Sequence, residues 1–183
     1  DHEAEIAISL EDGYHGTAKT ITLQGHEIDA QGQLRPTVQN LQVKIPPGVT
    51  EGTRIRLSGK GGEGMGGSPP GDLYLRVNLE PHPRFRVDGH HLQIDVPLAP
   101  WEAALGATVE VETLDGTVNL KIPPGSQSGQ KLRLRGKGLS RNGDGQGDLF
   151  ARVKIVVPKE LDPKEKELFS EMAKVSSFEP RKV

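Results

Sequence analysis

The chain has 183 residues, a formal net charge of −2, 33% apolar and 4% aromatic residues, and no cysteine. Disulfides and thiolate metal sites are thereby excluded, the apolar runs fall well short of the ~18 residues of a membrane-spanning helix, and a reducing cytoplasm suits the composition. Its 23 Gly and 14 Pro argue for strands and turns over a helical bundle, and the length accommodates two small domains.

No secretory signal pattern opens the chain, and without an initiator Met it is expected to be a portion of a longer protein. Residues Glu5 to Leu10 and Lys19 to Leu23 alternate apolar and polar, which predicts two strands around a turn or a single helical turn at Glu11–Gly16. Ile21 and Leu23 then share one face, Thr20 and Thr22 the other. Gln24–Thr37 is polar and contains Gly, so it reads as a loop. Leu41, Val43 and Ile45 resume the alternation until Pro46, Pro47 and Gly48, where proline removes a ladder donor and glycine supplies positive φ. Arg54–Leu57 and Leu73–Val77 predict further strands, separated by an exposed, mobile loop with seven Gly in Gly59–Gly71.

His82–Phe85 reads as a hinge. Beyond it come predicted strands at Leu92–Val96, Val109–Val111, Val118–Ile122, Lys131–Arg135 and Leu149–Val157, with a short helix at Trp101–Leu105. Asp162, Pro163 and Glu165 have the spacing of a capping box and open a C-terminal helix. Leu168, Phe169, Met172 and Val175 lie on one face of it, which packs either on its own domain or on a second chain.

The two halves repeat one another. Val43–Gly48, Gly52, Arg54–Leu57, Gly59–Gly61 and Gly71–Leu73 return as Leu120–Gly125, Gly129, Lys131–Leu134, Gly136–Gly138 and Gly147–Leu149, at an offset of 77 residues that becomes 76 after the intervening loop. A register shared over so long a stretch and broken only at a loop implies two tandem domains of one design. The fold class expected is therefore mostly β: two tandem similar domains at 1–83 and 84–158, followed by an amphipathic helix and tail at 159–183.

Catalytic signatures fail on inspection. Gly59–Gly64 matches G-x-G-x-x-G, but Met65–Pro70 cannot open the helix a dinucleotide site needs. The six His show no ligand spacing, so no metal site is expected. Gly125–Gly129 contains serines off-centre for a nucleophile elbow, and its counterpart Gly48–Gly52 contains none. Asp72 and Asp148, held identically in both copies, read as strand starts. The expectation is no enzyme and no cofactor.

The repeated I-P-P-G…G…R-L-x-G-K-G…G-D-L, with Pro81–Phe85, Asp95–Gly106 and the Thr113–Gly116 turn, resembles the peptide-binding C-terminal region of the DnaJ co-chaperones, and Ser176–Lys182 is similar to the tail of their bacterial curved-DNA-binding members. The resemblance covers essentially the whole chain and implies that the two tandem domains are β-sandwich-like, followed by the C-terminal amphipathic helix. His82-Pro83 is followed by Arg84, so the His-Pro-Asp motif of the ATPase-stimulating J-domain is absent, and Gln24–Thr37 lacks the cysteines of the zinc module. The resemblance therefore implies the zinc-free subtype, holding unfolded client polypeptides for a DnaK-type ATPase without stimulating it by this region alone. It also implies a homodimer through Leu168, Phe169, Met172 and Val175, and a client groove at Ala4, Ile6, Ile21, Leu23 and Leu75 beside an edge strand. Such an edge adds a peptide through main-chain bonds while neighbouring apolar pockets take alternate side chains.

DNA binding competes with that reading. Lys131, Arg133, Arg135, Lys137 and Arg141 place five positive charges in eleven residues, and alternation puts the first four on one strand face, where they would either track phosphates or be merely solvated. The localisation expected is cytoplasmic, with nucleoid association if DNA is a ligand.

Overall fold

A computed structural model of the chain describes residues 1–28, 31–62 and 68–183. The Gly59–Gly71 loop and the G-x-G-x-x-G match at Gly59–Gly64 therefore lie partly outside the described residues.

Each half repeats the order strand, short helix, hairpin, strand, strand. The first half runs β1 (His2–Ile8), α1 (Leu10–His15), β2 (Thr17–Ile28), β3 (Leu34–Ile45), β4 (Arg54–Leu57) and β5 (Leu73–Leu79). After β6 (Phe85–Asp88), the second half runs β7 (His91–Leu98), α2 (Pro100–Leu105), β8 (Ala107–Thr113), β9 (Gly116–Ile122), β10 (Lys131–Leu134) and β11 (Leu149–Ile155). Helix α3 (Pro163–Val175) and one 3-10 turn at Pro180–Lys182 close the chain. The first sheet has the order β1-β5-β4 and the second β10-β11-β7-β6, while β2-β3 and β8-β9 are separate two-stranded hairpins.

Alternating side chains bury one face of each sheet beneath its hairpin. In the first repeat Ile6, Ile8, Val43, Ile45, Leu73, Leu75 and Val77 are buried together, with Ile21, Leu23 and Ile55 packed against them. The second core gathers Phe85, Leu92, Ile94, Val96, Val111, Ile122, Leu149 and Val153. It also takes Leu10 and Tyr14 from α1, so the first repeat's helix reaches into the second repeat's core. At the same junction His15 Nε2 lies 3.1 Å from the Leu114 carbonyl and His82 Nε2 lies 2.8 Å from Glu11. His82 Nδ1 meanwhile accepts the N–H groups of Arg84 and Phe85. Gly48 (φ 88°) presses on Ser140, whose carbonyl a Cβ would strike.

Three expectations change. Leu10 starts α1 rather than ending β1, because Ser9 Oγ caps the helix by accepting the Asp12 N–H at 3.1 Å. Gln24–Thr37 is largely strand: the β2-β3 ladder continues as far as the Ile28–Leu34 pair. Leu34 and the neighbouring Val38 are exposed, so the main-chain ladder continues there without a buried apolar stripe to announce it. Phe85 begins a strand, β6, instead of closing a hinge. The expected capping box of α3 is present: Asp162 Oδ1 accepts the Glu165 N–H at 2.8 Å and Glu165 Oε1 accepts the Asp162 N–H at 3.0 Å.

Candidate functional site

Strand β1 has one occupied edge and one open edge. His2 N–H donates to Asp72 O and Ile8 O accepts from Glu80 N–H, so the even-numbered residues direct their main-chain groups to β5. Glu3, Glu5 and Ala7 therefore direct theirs away from it. Among the described residues no strand pairs there, and Ala7 O alone is taken, by Lys19 Nζ at 2.9 Å. Glu3 and Glu5 thus offer unpaired donors and acceptors on an exposed strand, a template for one more strand.

Beside this edge is a cleft of about 270 Å³ between β1 and the outer half of the β2-β3 hairpin, with His2, Ala4, Leu23, His26 and Leu73 among its walls. Of the expected groove residues, Ala4 and Leu23 line it. Ile21 is half-buried and packs on the core. Ile6 and Leu75, at 5% and 1% exposure, belong to the first core and are not among the residues lining the cleft. Their inward faces are fixed by the same pleat that turns Ala4 toward the cleft.

The duplicated Gly-Asp signal has a structural explanation. Asp72 Oδ2 accepts Arg56 Nε–H at 2.6 Å and its Oδ1 accepts Gly59 N–H at 2.9 Å. Asp148 does the same with Arg133 Nε–H at 2.7 Å and Gly136 N–H at 2.9 Å. In each copy one carboxylate ties the start of a strand to the turn after its neighbour. The glycine amide first, and the guanidinium after it, hold both carboxyls below the usual carboxylate range.

Arg133 is thereby engaged in the fold, which alters the basic candidates. β10 ends at Leu134, and the turn at Gly136 (φ 69°) carries Arg135 and Lys137 off the strand face. Lys137 is partly buried, 3.9 Å from Asp115, and Arg141 stands beside His91 on a loop. Lys131 stays on the exposed face, where cross-strand pairing places it beside Arg152. With Arg86 and Lys154 this makes an outer face of five cations (Arg86, Lys131, Arg133, Arg152, Lys154) against Asp88 and Asp95. The equivalent face of the first sheet has Arg54, Arg56 and Arg76 against Glu3 and Glu5. Arg86, Arg152 and Lys154 escape a strand-by-strand reading because period-two alternation gives the face of a residue but not its neighbouring strands.

No residue of α3 is buried, and Leu168, Met172 and Val175 are each more than half exposed. Leu168, Phe169 and Met172 face Pro100, Trp101, Ala104 and Leu105 of α2 across an apolar groove of about 500 Å³. Trp101, 52% exposed, was read only as part of a short helix. Among the described residues no cluster of His, Asp and Glu is fit to hold a metal, and no helix is long and apolar enough to cross a membrane.

The duplicated β scaffold thus combines a strand edge unpaired among the described residues, a cleft beside it and an exposed apolar stripe on its last helix. The DnaJ C terminal domain family matches residues 2–158, and the chain belongs to that family. It is 46% identical over 183 residues to a Curved DNA-binding protein of Coxiella burnetii (strain RSA 493 / Nine Mile phase I), covering 100% of this chain and 58% of that protein. It is 48% identical over 182 residues to the Curved DNA-binding protein of Pseudomonas putida KT2440 (99% and 57%) and 47% identical over 182 residues to that of Pseudomonas syringae pv. tomato DC3000 (99% and 58%). The chain thus spans 57–58% of the length of these relatives. Neither the family's description nor these names are those of an enzyme.

Proposed function

We propose that this chain holds unfolded polypeptide: an extended client segment joins the open edge of β1 and sets apolar side chains into the cleft at Ala4 and Leu23. The unpaired main-chain groups of Glu3 and Glu5, directly beside an apolar cleft, are the observation that carries this reading. Main-chain pairing demands no sequence, which suits a protein that must accept many clients. In this reading residues 1–83 form the peptide-binding domain, 84–158 a second β domain and 159–183 a dimerising helix and tail. The relatives are longer than this chain, so delivery of clients to a DnaK-type ATPase in the cytoplasm is proposed of the whole protein. The test is suppression of client aggregation, followed by light scattering, with the wild-type chain and with Leu23→Glu. The variant is expected to keep its fold and lose suppression. A folded wild-type chain that captures no unfolded client overturns the proposal.

A second reading, DNA binding, draws on the relatives' names and on the basic outer face of the second sheet. We assign it to Lys131, Arg152, Lys154 and Arg86, with Arg135 and Arg141 at the rim. Phosphate contacts of this kind are salt-sensitive. Arg152→Glu with Lys154→Glu is expected to weaken DNA binding and to reduce the salt slope by about one per lost contact. An unchanged slope would remove this face from consideration.

A further inference from the structure

The two repeats differ at one edge. In the second, β6 covers β7 antiparallel, with Phe85 opposite Ile94, Arg86 opposite Gln93 and Val87 opposite Leu92. In the first, the corresponding edge of β1 has no partner strand among the described residues. Leu73 on β5 matches Leu149 on β11, 76 residues on. The two ladders then equate His2 with Leu92, Glu3 with Gln93, Ala4 with Ile94 and Glu5 with Asp95. β6 occupies, inside the chain, the place a bound segment takes on β1.

We propose that β6 is an intramolecular copy of the ligand, and that the β1 edge prefers segments of the pattern apolar–basic–apolar running antiparallel to β1; this rests on the reading of that edge as the client site. Phe85 is 3% exposed and Val87 38%, so the first apolar position is the deeper one. On β1 that position falls opposite Ala4, smaller than the Ile94 it replaces and a wall of the cleft. The second falls opposite His2. The middle residue, like Arg86 on Gln93, pairs its main chain with Glu3. Its side chain then stands on the outer face with Glu3 and Glu5.

The charge preference follows from the same register. Arg86 Nη2 lies 3.7 Å from Asp95 Oδ2, and Glu5 is the counterpart of Asp95. Glu3 is 3.0 Å from Arg54, and Glu5 makes no ion pair among the described residues. A cation at the middle position meets Glu5, with Glu3 already partnered by Arg54, whereas an acid there is repelled by Glu5. Cross-strand charge pairs are individually weak.

Fluorescence anisotropy of labelled peptides with Phe-Arg-Val, Phe-Glu-Val, Ala-Arg-Val and Val-Arg-Phe cores on the full chain tests the rule. A permanently unfolded protein serves as the control client. The Phe-Arg-Val core is expected to bind tightest, with the Phe-Glu-Val core weaker by roughly three- to tenfold at low salt. The double variant Glu3→Gln with Glu5→Gln is expected to close that gap while retaining the control client. Equal binding of the arginine and glutamate cores, or of the forward and reversed cores, with the control client still captured overturns the pattern and leaves the edge reading standing. Loss of both peptide and client binding by the folded chain overturns the edge reading itself.

Discussion

A proline at Glu3 separates the role of the β1 edge from its role in folding. The Glu3 N–H points away from β5, so removing it breaks no ladder bond of the protein, and proline is tolerated on an edge whose N–H faces solvent. The residue before it, His2, is already extended, as proline requires. For a client the change is severe, because its carbonyl is left facing a ring without a donor. A net hydrogen bond contributes about 0.5–1.5 kcal/mol, and stranding one buried partner costs about 1–3 kcal/mol. The Glu3→Pro variant should therefore bind an extended peptide about 5- to 150-fold more weakly, with little change in thermal midpoint. Gln93→Pro is the matched control. Its N–H faces Arg86 in the β6-β7 ladder, so that variant should lose stability and keep client affinity. Anisotropy titration with thermal melts by circular dichroism reads both quantities. A folded Glu3→Pro chain with wild-type affinity refutes addition at this edge.

Three further outcomes are expected. Leu168→Glu with Phe169→Glu should reduce the mass in sedimentation equilibrium to that of one chain, and a wild-type chain already monomeric would refute the α3 dimer. Gly48→Ala should lower the thermal midpoint several degrees more than Gly125→Ala: both sites have positive φ, but only the first adds a collision, with Ser140. Asp72 and Asp148 have lowered folded pKa values, so their stabilisation is complete above the unfolded value of about 3.9 and is lost as pH falls through the folded values. Asp72→Asn with Asp148→Asn should thus melt with a shallower dependence on pH below about 4, and an unchanged slope would show that other groups govern acid unfolding.

Much of this fold was legible because repetition checks each reading twice. The Pro-Pro-Gly stops, the short helices and the strands from Arg54 and Lys131 recur in one order, and the α3 capping box needed only its four residues. The site was less legible. Alternation turns Ile6 and Leu75 to the same side as Ala4, but it cannot say that a hairpin seals the first two and leaves the third beside an opening. In the outer half of β2-β3 the apolar residues Leu34 and Val38 are exposed, so that stretch has no buried apolar stripe and resembled a loop. The basic surface was hidden for the opposite reason: Lys131, Arg152 and Arg86 are far apart in sequence and meet only through the strand order β10-β11-β7-β6.

Two repeats that differ at one edge would let a single scaffold serve both proposed ligands. Where β6 covers β7, the β7 edge is taken and β6 itself becomes the outermost strand, adding Arg86 and Asp88 together to a face that already carries Lys131, Arg152 and Lys154. Where β1 is uncovered, Glu3 and Glu5 oppose the arginines of β4 and β5 and leave that face nearly neutral, with main-chain groups unspent. The same four-residue strand therefore closes the β7 edge and leaves the net charge of the face unchanged, its positive surplus coming from Lys131, Arg133, Arg152 and Lys154. Peptide and polyanion are then expected to bind without competition: saturating the β1 edge with peptide should leave DNA affinity unchanged, and displacement of one by the other would place both ligands on a single surface.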